Sequence, residues 1–339
     1  MSKRKLPIGI IGAGRIGAVH AETLAFRLPE AAPLIIADIN RQAAEEVATR
    51  CGIPRVTENA EEVLADPEIE AVLICSSTDT HAGLIVAAAR AGKQIFCEKP
   101  IDHSLEKIDR ALAAVARAGV QLQVGFNRRF DPNFARVRKA VESGEIGTPH
   151  LLHIISRDPE PPPISYVKVS GGIFLDMTIH DFDMARFLIG SEVEEVFTAA
   201  GVRVDPSIGE AGDLDTALVV LRFKNGVIGT IDNCRKAVYG YDQRVEILGS
   251  EGAVSTGNCY PNQAVVSTSI AVRRDLPLHF FMDRYAESFA RELRAFVKAV
   301  REGSPTPVTG MDGRVPVVMG LAARKSHDEN RVVRLEEIR

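Results

Sequence analysis

Apolar residues in the first third of the chain cluster in short runs. Leu6 to Ile11, Leu34 to Ala37, Ala71 to Cys75, Gln94 to Cys97 and Gln121 to Val124 each read as a strand covered on both faces. Between them lie helix-forming stretches: about Ala18 to Arg27, Arg41 to Arg50, His81 to Ala91 closed by Gly92, and Leu105 to Ala118. Such alternation predicts βαβ units and therefore a parallel sheet with helices on both sides. Right-handed crossovers then favour a doubly wound α/β fold.

After Phe126 the alternation stops. Pro149 to Arg157, Val193 to Val204, Leu214 to Phe223, Val227 to Asn233 and Arg244 to Leu248 read as strands with little helix between them. Asn225-Gly226 predicts a hairpin through a type I′ turn, which needs positive φ at both positions. A second, α+β domain on a largely antiparallel sheet follows, which divides the chain into residues 1–126 and 127–339. In Leu214 to Phe223 both faces are apolar, with Ala217, Val219 and Leu221 on one and Leu218 and Val220 on the other. Such a sheet needs two covers, helices on one side and another subunit on the other, so a homo-oligomer is expected. Helices are predicted over Leu175 to Leu188 and Arg284 to Arg301; in the latter, Tyr285, Phe289, Leu293, Phe296 and Val300 form an apolar stripe that belongs to a core.

Composition supports two domains, because 339 residues exceed the roughly 250–300 at which one hydrophobic core stops growing. A net charge of −4 carries no basic excess for nucleic acid or an anionic membrane surface. The five cysteines are scattered and never spaced Cys-x-x-Cys, which fits neither a disulfide framework nor a zinc ribbon and suits a reducing compartment. The basic start Met1-Ser2-Lys3-Arg4-Lys5 precedes an apolar run too short for a signal peptide. No run approaches the roughly 18 apolar residues of a membrane span. A cytoplasmic protein is expected.

Gly12-Ala13-Gly14-Arg15-Ile16-Gly17 sits between the first strand and the first helix, and Asp38 ends the next strand, 21 residues past Gly17. Gly12 permits a tight turn, Gly14 lets the backbone approach a pyrophosphate, and Gly17 lets helix pack on strand. Asp38 would accept hydrogen bonds from ribose hydroxyls and repel a 2′-phosphate, which favours NAD over NADP, although Arg41 nearby could tolerate that phosphate. By fold logic the ligand crevice lies beyond the carboxyl ends of the parallel strands. Ser76, Thr78 and His81, then Glu98-Lys99-Pro100, then Gly125 to Arg129, all follow strand ends there. Lys99 could hydrogen-bond a substrate hydroxyl near the nicotinamide, or simply pair with Glu98.

In the second domain, Asp176, His180 and Asp183 fall on one face of the predicted helix. A carboxylate one turn from a histidine can fix its tautomer and stabilise its protonated form, as a general base for an alcohol proton requires. A solvated helix surface and a metal pair are the competing readings; no metal is expected, because no Cys/His cluster accompanies the pair.

Strand–GAGRIG–helix, Glu98-Lys99-Pro100 and Gly171-Gly172 with Asp176-x-x-x-His180 together resemble the glucose-fructose oxidoreductase / inositol dehydrogenase / rhizopine-catabolism (Gfo/Idh/MocA) family over essentially the whole chain. Phe174 to Arg186 and Ala237 to Arg244 resemble the inositol 2-dehydrogenases within it. The resemblance implies a Rossmann domain followed by an α+β domain with a large open, mainly antiparallel sheet that mediates dimers or tetramers. It implies Lys99, Asp176 and His180 as the catalytic trio. It implies NAD bound by Gly12, Gly14, Arg15, Ile16, Gly17, Asp38, Ser76, Thr78, His81, Glu98 and Lys99. Arg129 and Tyr239 or Tyr241 match polyol contacts, and Arg157-Asp158 stands on a strand that would supply another. The expected reaction is oxidation of a secondary ring hydroxyl of a cyclic polyol, myo-inositol first, by hydride transfer to NAD. Another sugar or inositol isomer is one alternative substrate, and a non-catalytic dinucleotide-sensing regulator is an alternative of a different class.

Overall fold

The computed structural model describes residues 4–338, so Met1-Ser2-Lys3 of the basic start lie outside the described residues. The chain forms two compact units. The first comprises the chain up to Phe130 together with Glu287–Val315. Its sheet has six strands: β1 (Leu6–Ile11), β2 (Ala31–Ala37), β3 (Arg55–Thr57), β4 (Ala71–Ile74), β5 (Gln94–Glu98) and β6 (Leu122–Gly125). They are parallel and run in the order β3-β2-β1-β4-β5-β6. The connecting helices are α1 (Arg15–Arg27), α2 (Arg41–Cys51), α3 (Ala60–Ala65), α4 (Thr78–Arg90) and α5 (Leu105–Ala118). The strand order reverses between β1 and β4, the point at which doubly wound sheets bind ligands.

The buried strands have the expected composition: Ile8, Ile10, Leu73 and Phe96 are fully enclosed. Each such side chain contributes about 1.5–3 kcal/mol. The helix Ala286–Glu302 lends Leu293, Phe296 and Val297 to the same core, and Phe96 meets Phe296 edge-on at 5.9 Å. That apolar stripe is why the chain re-enters the first unit at Glu287, a return that one division at residue 126 does not anticipate. The edge strand β3 is also new, since Arg55-Val56-Thr57 is too short and too polar to stand out as an apolar run.

The second unit comprises Asp131–Ala286 and the chain from Pro316 onward. Its seven-stranded sheet contains β7 (Pro149–Arg157), β8 (Val193–Gly201), β9 (Thr216–Phe223), β10 (Ile228–Cys234), β11 (Asp242–Gly249), β12 (Ala253–Thr256) and β15 (Val333–Arg334). The order is β12-β11-β7-β10-β9-β8-β15, antiparallel except for the parallel pair β7–β10. A separate hairpin joins β13 (Val265–Ser267) to β14 (Val272–Arg274). Helices α6 (Pro132–Glu142), α7 (Ile164–Val167), α8 (Gly172–Asp176) and α9 (Thr178–Ile189) precede or interrupt the strands.

Register places Ile231 beside both Val219 and Ile154, all buried. Leu218, Ile228 and Leu248 stand exposed on the opposite face, at 49%, 46% and 43%. Two local expectations are corrected. The β9–β10 turn is not type I′: the positive φ is at Gly226 (90°) and not at Asn225. Gly226 N–H donates to Phe223 O and Phe223 N–H to Val227 O, so Lys224-Asn225-Gly226 form a three-residue loop, a type I turn followed by a left-handed glycine. The predicted helix over Leu175 to Leu188 is two helices, α8 and α9, interrupted at Met177. No helix among the described residues is long and apolar enough to cross a membrane.

Candidate active-site residues

In the first unit the glycine loop is shaped by its neighbours. Gly12 has φ +104°, and a Cβ there would lie 2.5 Å from the Cys75 backbone; a Cβ on Gly17 would lie 2.1 Å from Gly12 O. A Cβ on Gly14 would meet nothing within 4 Å. Open space therefore faces the start of α1, where no side chain caps the helix and its first turn holds no acid. Uncapped N–H groups and the helix dipole suit an anion, so the loop fits a dinucleotide pyrophosphate. Arg15 is exposed and Ile16 half-buried on that first turn. The Asp38 carboxylate lies against the loop: Oδ2 accepts Ala13 N–H at 2.6 Å and Oδ1 accepts Asn40 N–H at 2.8 Å. Carboxylate oxygens keep further lone pairs, so these bonds fix the acid and leave capacity for ribose hydroxyls.

The next strand ends are tied together by a residue whose expected role was cofactor contact. His81 is buried, with Nδ1 2.8 Å from Pro100 O and Nε2 3.0 Å from Ser76 O. It braces the loops that carry Ser76 and Lys99. Ser76 Oγ lies 2.6 Å from Thr80 Oγ1, within the first turn of the helix that Thr78 begins. Glu98 is buried as well: its Oε1 lies 2.6 Å from His20 Nε2, and its Oε2 accepts Lys99 N–H at 3.3 Å. A Cβ on Gly125 would approach that carboxylate to 3.0 Å, so glycine there makes room for it. Glu292, fully buried, joins the pair, and one donor atom from each of His20, Glu98 and Glu292 lies within 4.8 Å of the others. These are the described residues that could group around a metal ion. Arg129 donates to Asp312 Oδ1 at 2.9 Å. Burial pushes the Asp312 carboxyl up, but Arg129 and the Thr309 N–H and hydroxyl outweigh it and hold it below the usual carboxylate range. Cys75 and Cys97 are buried, and burial pushes both thiols well up.

In the second unit Asp176 ends α8 and His180 stands in the first turn of α9. The Asp176 carboxylate is gripped from two sides. Tyr166 hydroxyl donates to Oδ1 at 2.9 Å, and Arg235 Nη1 donates to Oδ2 at 3.2 Å. Neither partner was legible in the sequence, since nothing local marks residues 10 and 59 positions away.

Arg157, near the end of β7, is bound within its own sheet. It pairs with Asp232, and its Nη1 donates to the Tyr239 hydroxyl at 3.1 Å. Tyr239 in turn donates to Asp242 Oδ2 at 2.6 Å. Burial and this donation raise the Tyr239 phenol above its ordinary value. Tyr241 is buried, edge-on to Tyr285 at 6.0 Å. The structure thus places Tyr239 beside Arg157 and Tyr241 in the core. Tyr239 and Asp242 line a cleft of about 650 Å³ with Arg244, Asn258, Tyr260 and Arg274.

Two family models match the chain. Residues 6–126 match the model of an oxidoreductase family with an NAD-binding Rossmann fold, and residues 134–255 match that of the GFO/IDH/MocA C-terminal domain. The chain is 49% identical to a myo-inositol 2-dehydrogenase of Thermotoga maritima over 98% of its own length and 99% of that protein. It is 47% identical to an inositol 2-dehydrogenase of Rhizobium meliloti, over 96% and 98%. The crystal structure of a scyllo-inositol dehydrogenase from Lactobacillus casei with bound NAD(H) and scyllo-inositol superposes with a TM-score of 0.92 at 28% identity, covering 98% of this chain and all of that one (100%).

Proposed function

We propose, because the chain belongs to the GFO/IDH/MocA oxidoreductase family, that it oxidises one ring hydroxyl of an inositol to a ketone with NAD. The observation that carries the reading is the similarity to inositol 2-dehydrogenases over nearly the full length of both units. The Gly12–Gly17 loop and the start of α1 would hold the pyrophosphate, and Asp38 the adenosine ribose, with Arg15, Ile16, Ser76, Thr78 and Glu98 around the same strand ends. Bound NAD supplies the hydride acceptor. His180 would take the hydroxyl proton, the step a general base accelerates by about 10²–10⁴-fold. Asp176 would orient the imidazole and stabilise its charged form. Lys99 would donate to the same hydroxyl oxygen and polarise the carbonyl as it forms. Arg129, Arg157 and Tyr239 would contact the remaining hydroxyls.

The substrate proposed first is myo-inositol, giving 2-keto-myo-inositol in inositol catabolism. The similarity to a structure holding scyllo-inositol supports that isomer as the second reading. The exposed apolar residues Leu218, Ile228 and Leu248 on one sheet face support a homo-oligomer, a dimer or a tetramer, that covers them. A cytoplasmic location agrees with five free cysteines. A screen of NADH production across inositol isomers and common aldoses tests the assignment. Turnover of an inositol well above every aldose is expected. Turnover of an aldose alone would replace the substrate, and dinucleotide binding without any turnover would favour a sensor.

A further inference from the structure

Asn233 lies near the end of β10, and Arg235 is the first residue beyond it, where the chain bends. Asn233 Oδ1 accepts the Thr178 hydroxyl at 2.6 Å, and its Nδ2 donates to Asp181 Oδ2 at 2.9 Å and to Ser156 O at 3.1 Å. Arg235 reaches Asp176 Oδ2 at 3.2 Å with one nitrogen and Asp213 Oδ2 at 3.5 Å with the other. The strand end therefore grips residues 176, 178 and 181, on both sides of His180.

Arg235 is itself anchored. It is only 1% exposed, and Asp213 Oδ1 accepts the Ile173 N–H at the start of α8 at 2.9 Å. Gly172, at φ +79°, leaves space for that acid, since a Cβ there would come within 2.7 Å of Asp213 Oδ1. A buried guanidinium between two carboxylates fixes direction as well as charge, because its donors form a rigid planar fork. Tyr166, which is half exposed, closes the other carboxylate oxygen.

From this geometry we infer that Arg235, helped by Tyr166, is a positioning residue that aims the Asp176 carboxylate and so sets the working orientation of His180. The inference rests on the proposed role of Asp176 and His180 in proton removal. Arg235 touches neither substrate nor cofactor in this account. Its loss should lower kcat, leave KM for NAD unchanged, and cost nothing further once Asp176 is gone, because residues acting as a unit are not additive.

The test is a double-mutant cycle on the full chain, read as kcat and KM with NAD and whichever inositol the wild type turns over. Arg235→Gln should lower kcat by about 10–100-fold, less than the roughly 10²–10⁴-fold that loss of the general base itself costs; Arg235→Lys should recover part of it, and Tyr166→Phe should lose a few-fold. Adding Arg235→Gln to Asp176→Ala should change kcat by less than about threefold. A multiplicative loss in that background, or wild-type kcat in Arg235→Gln, would overturn the inference. If Arg235→Gln does not fold, the cycle runs with Arg235→Lys and with Tyr166→Phe, which removes only a hydroxyl from a half-exposed ring; multiplicative losses there count equally against it. Failure of the underlying reading looks different: no inositol oxidation by the wild type, or full activity in His180→Ala.

Discussion

His20 Nε2 and Glu98 Oε1 stand 2.6 Å apart with both side chains buried, which joins α1 to the end of β5 immediately before Lys99. The pair links the helix that begins at the glycine loop to the strand end that presents the lysine. A buried carboxylate stripped of a partner costs about 2–3 kcal/mol. His20→Leu is therefore expected to lower unfolding free energy by about that amount in urea titrations. An unchanged midpoint would show that the bond contributes nothing.

The loop glycines should separate by role. A Cβ at residue 17 has no room beside Gly12 O, whereas one at residue 14 projects into open space. Gly17→Ala should lower Tm and NAD binding together. Gly14→Ala should keep Tm but weaken NAD binding at least about tenfold, equivalent to about 1.4 kcal/mol, as read by calorimetric titration. Equal Tm losses would contradict the separation.

Asp38 should control which dinucleotide is used. Its carboxylate is fixed against Ala13 N–H and Asn40 N–H, where it repels a ribose 2′-phosphate. Asp38→Ala should narrow the NAD:NADP ratio of kcat/KM by on the order of tenfold. A ratio that does not move would remove Asp38 from the specificity argument.

Stability should fall on the acid side through Asp242. Burial pushes its carboxyl up, yet Arg244, Tyr239 and Asn258 outweigh burial and hold it below the usual range. A depressed folded-state value means that this stabilisation is present above the unfolded carboxyl value of about 3.9 and is lost as pH falls below it. Urea unfolding of the wild type should weaken steeply from about pH 4 downward. Asp242→Asn should weaken less over the same descent, and parallel curves would refute the assignment.

Much of the first unit was legible because its signals are local. The apolar runs, the glycine spacing and Asp38 all lie within single βαβ repeats. The edge strand β3 escaped because three residues carry no periodicity. The β9–β10 turn was misjudged in detail because Asn-Gly also suits a loop in which Gly226 alone takes positive φ. In the second unit Asp176 and His180 could be singled out by spacing, but Arg235, Asp213 and Tyr166 could not. They reach Asp176 and the start of α8 from distant or irregular segments, and only packing brings them there. The Arg129–Asp312 bond, 183 residues apart, was hidden for the same reason.

The central claim is that this chain removes a hydroxyl proton with His180 while NAD is reduced. The direct measurement is the initial rate of NADH formation from NAD and myo-inositol by the wild type and by His180→Ala at neutral pH. The account predicts clear turnover by the wild type and a loss of about 10²–10⁴-fold in the variant, with KM for NAD little changed. Turnover by His180→Ala within a few-fold of the wild type would contradict it.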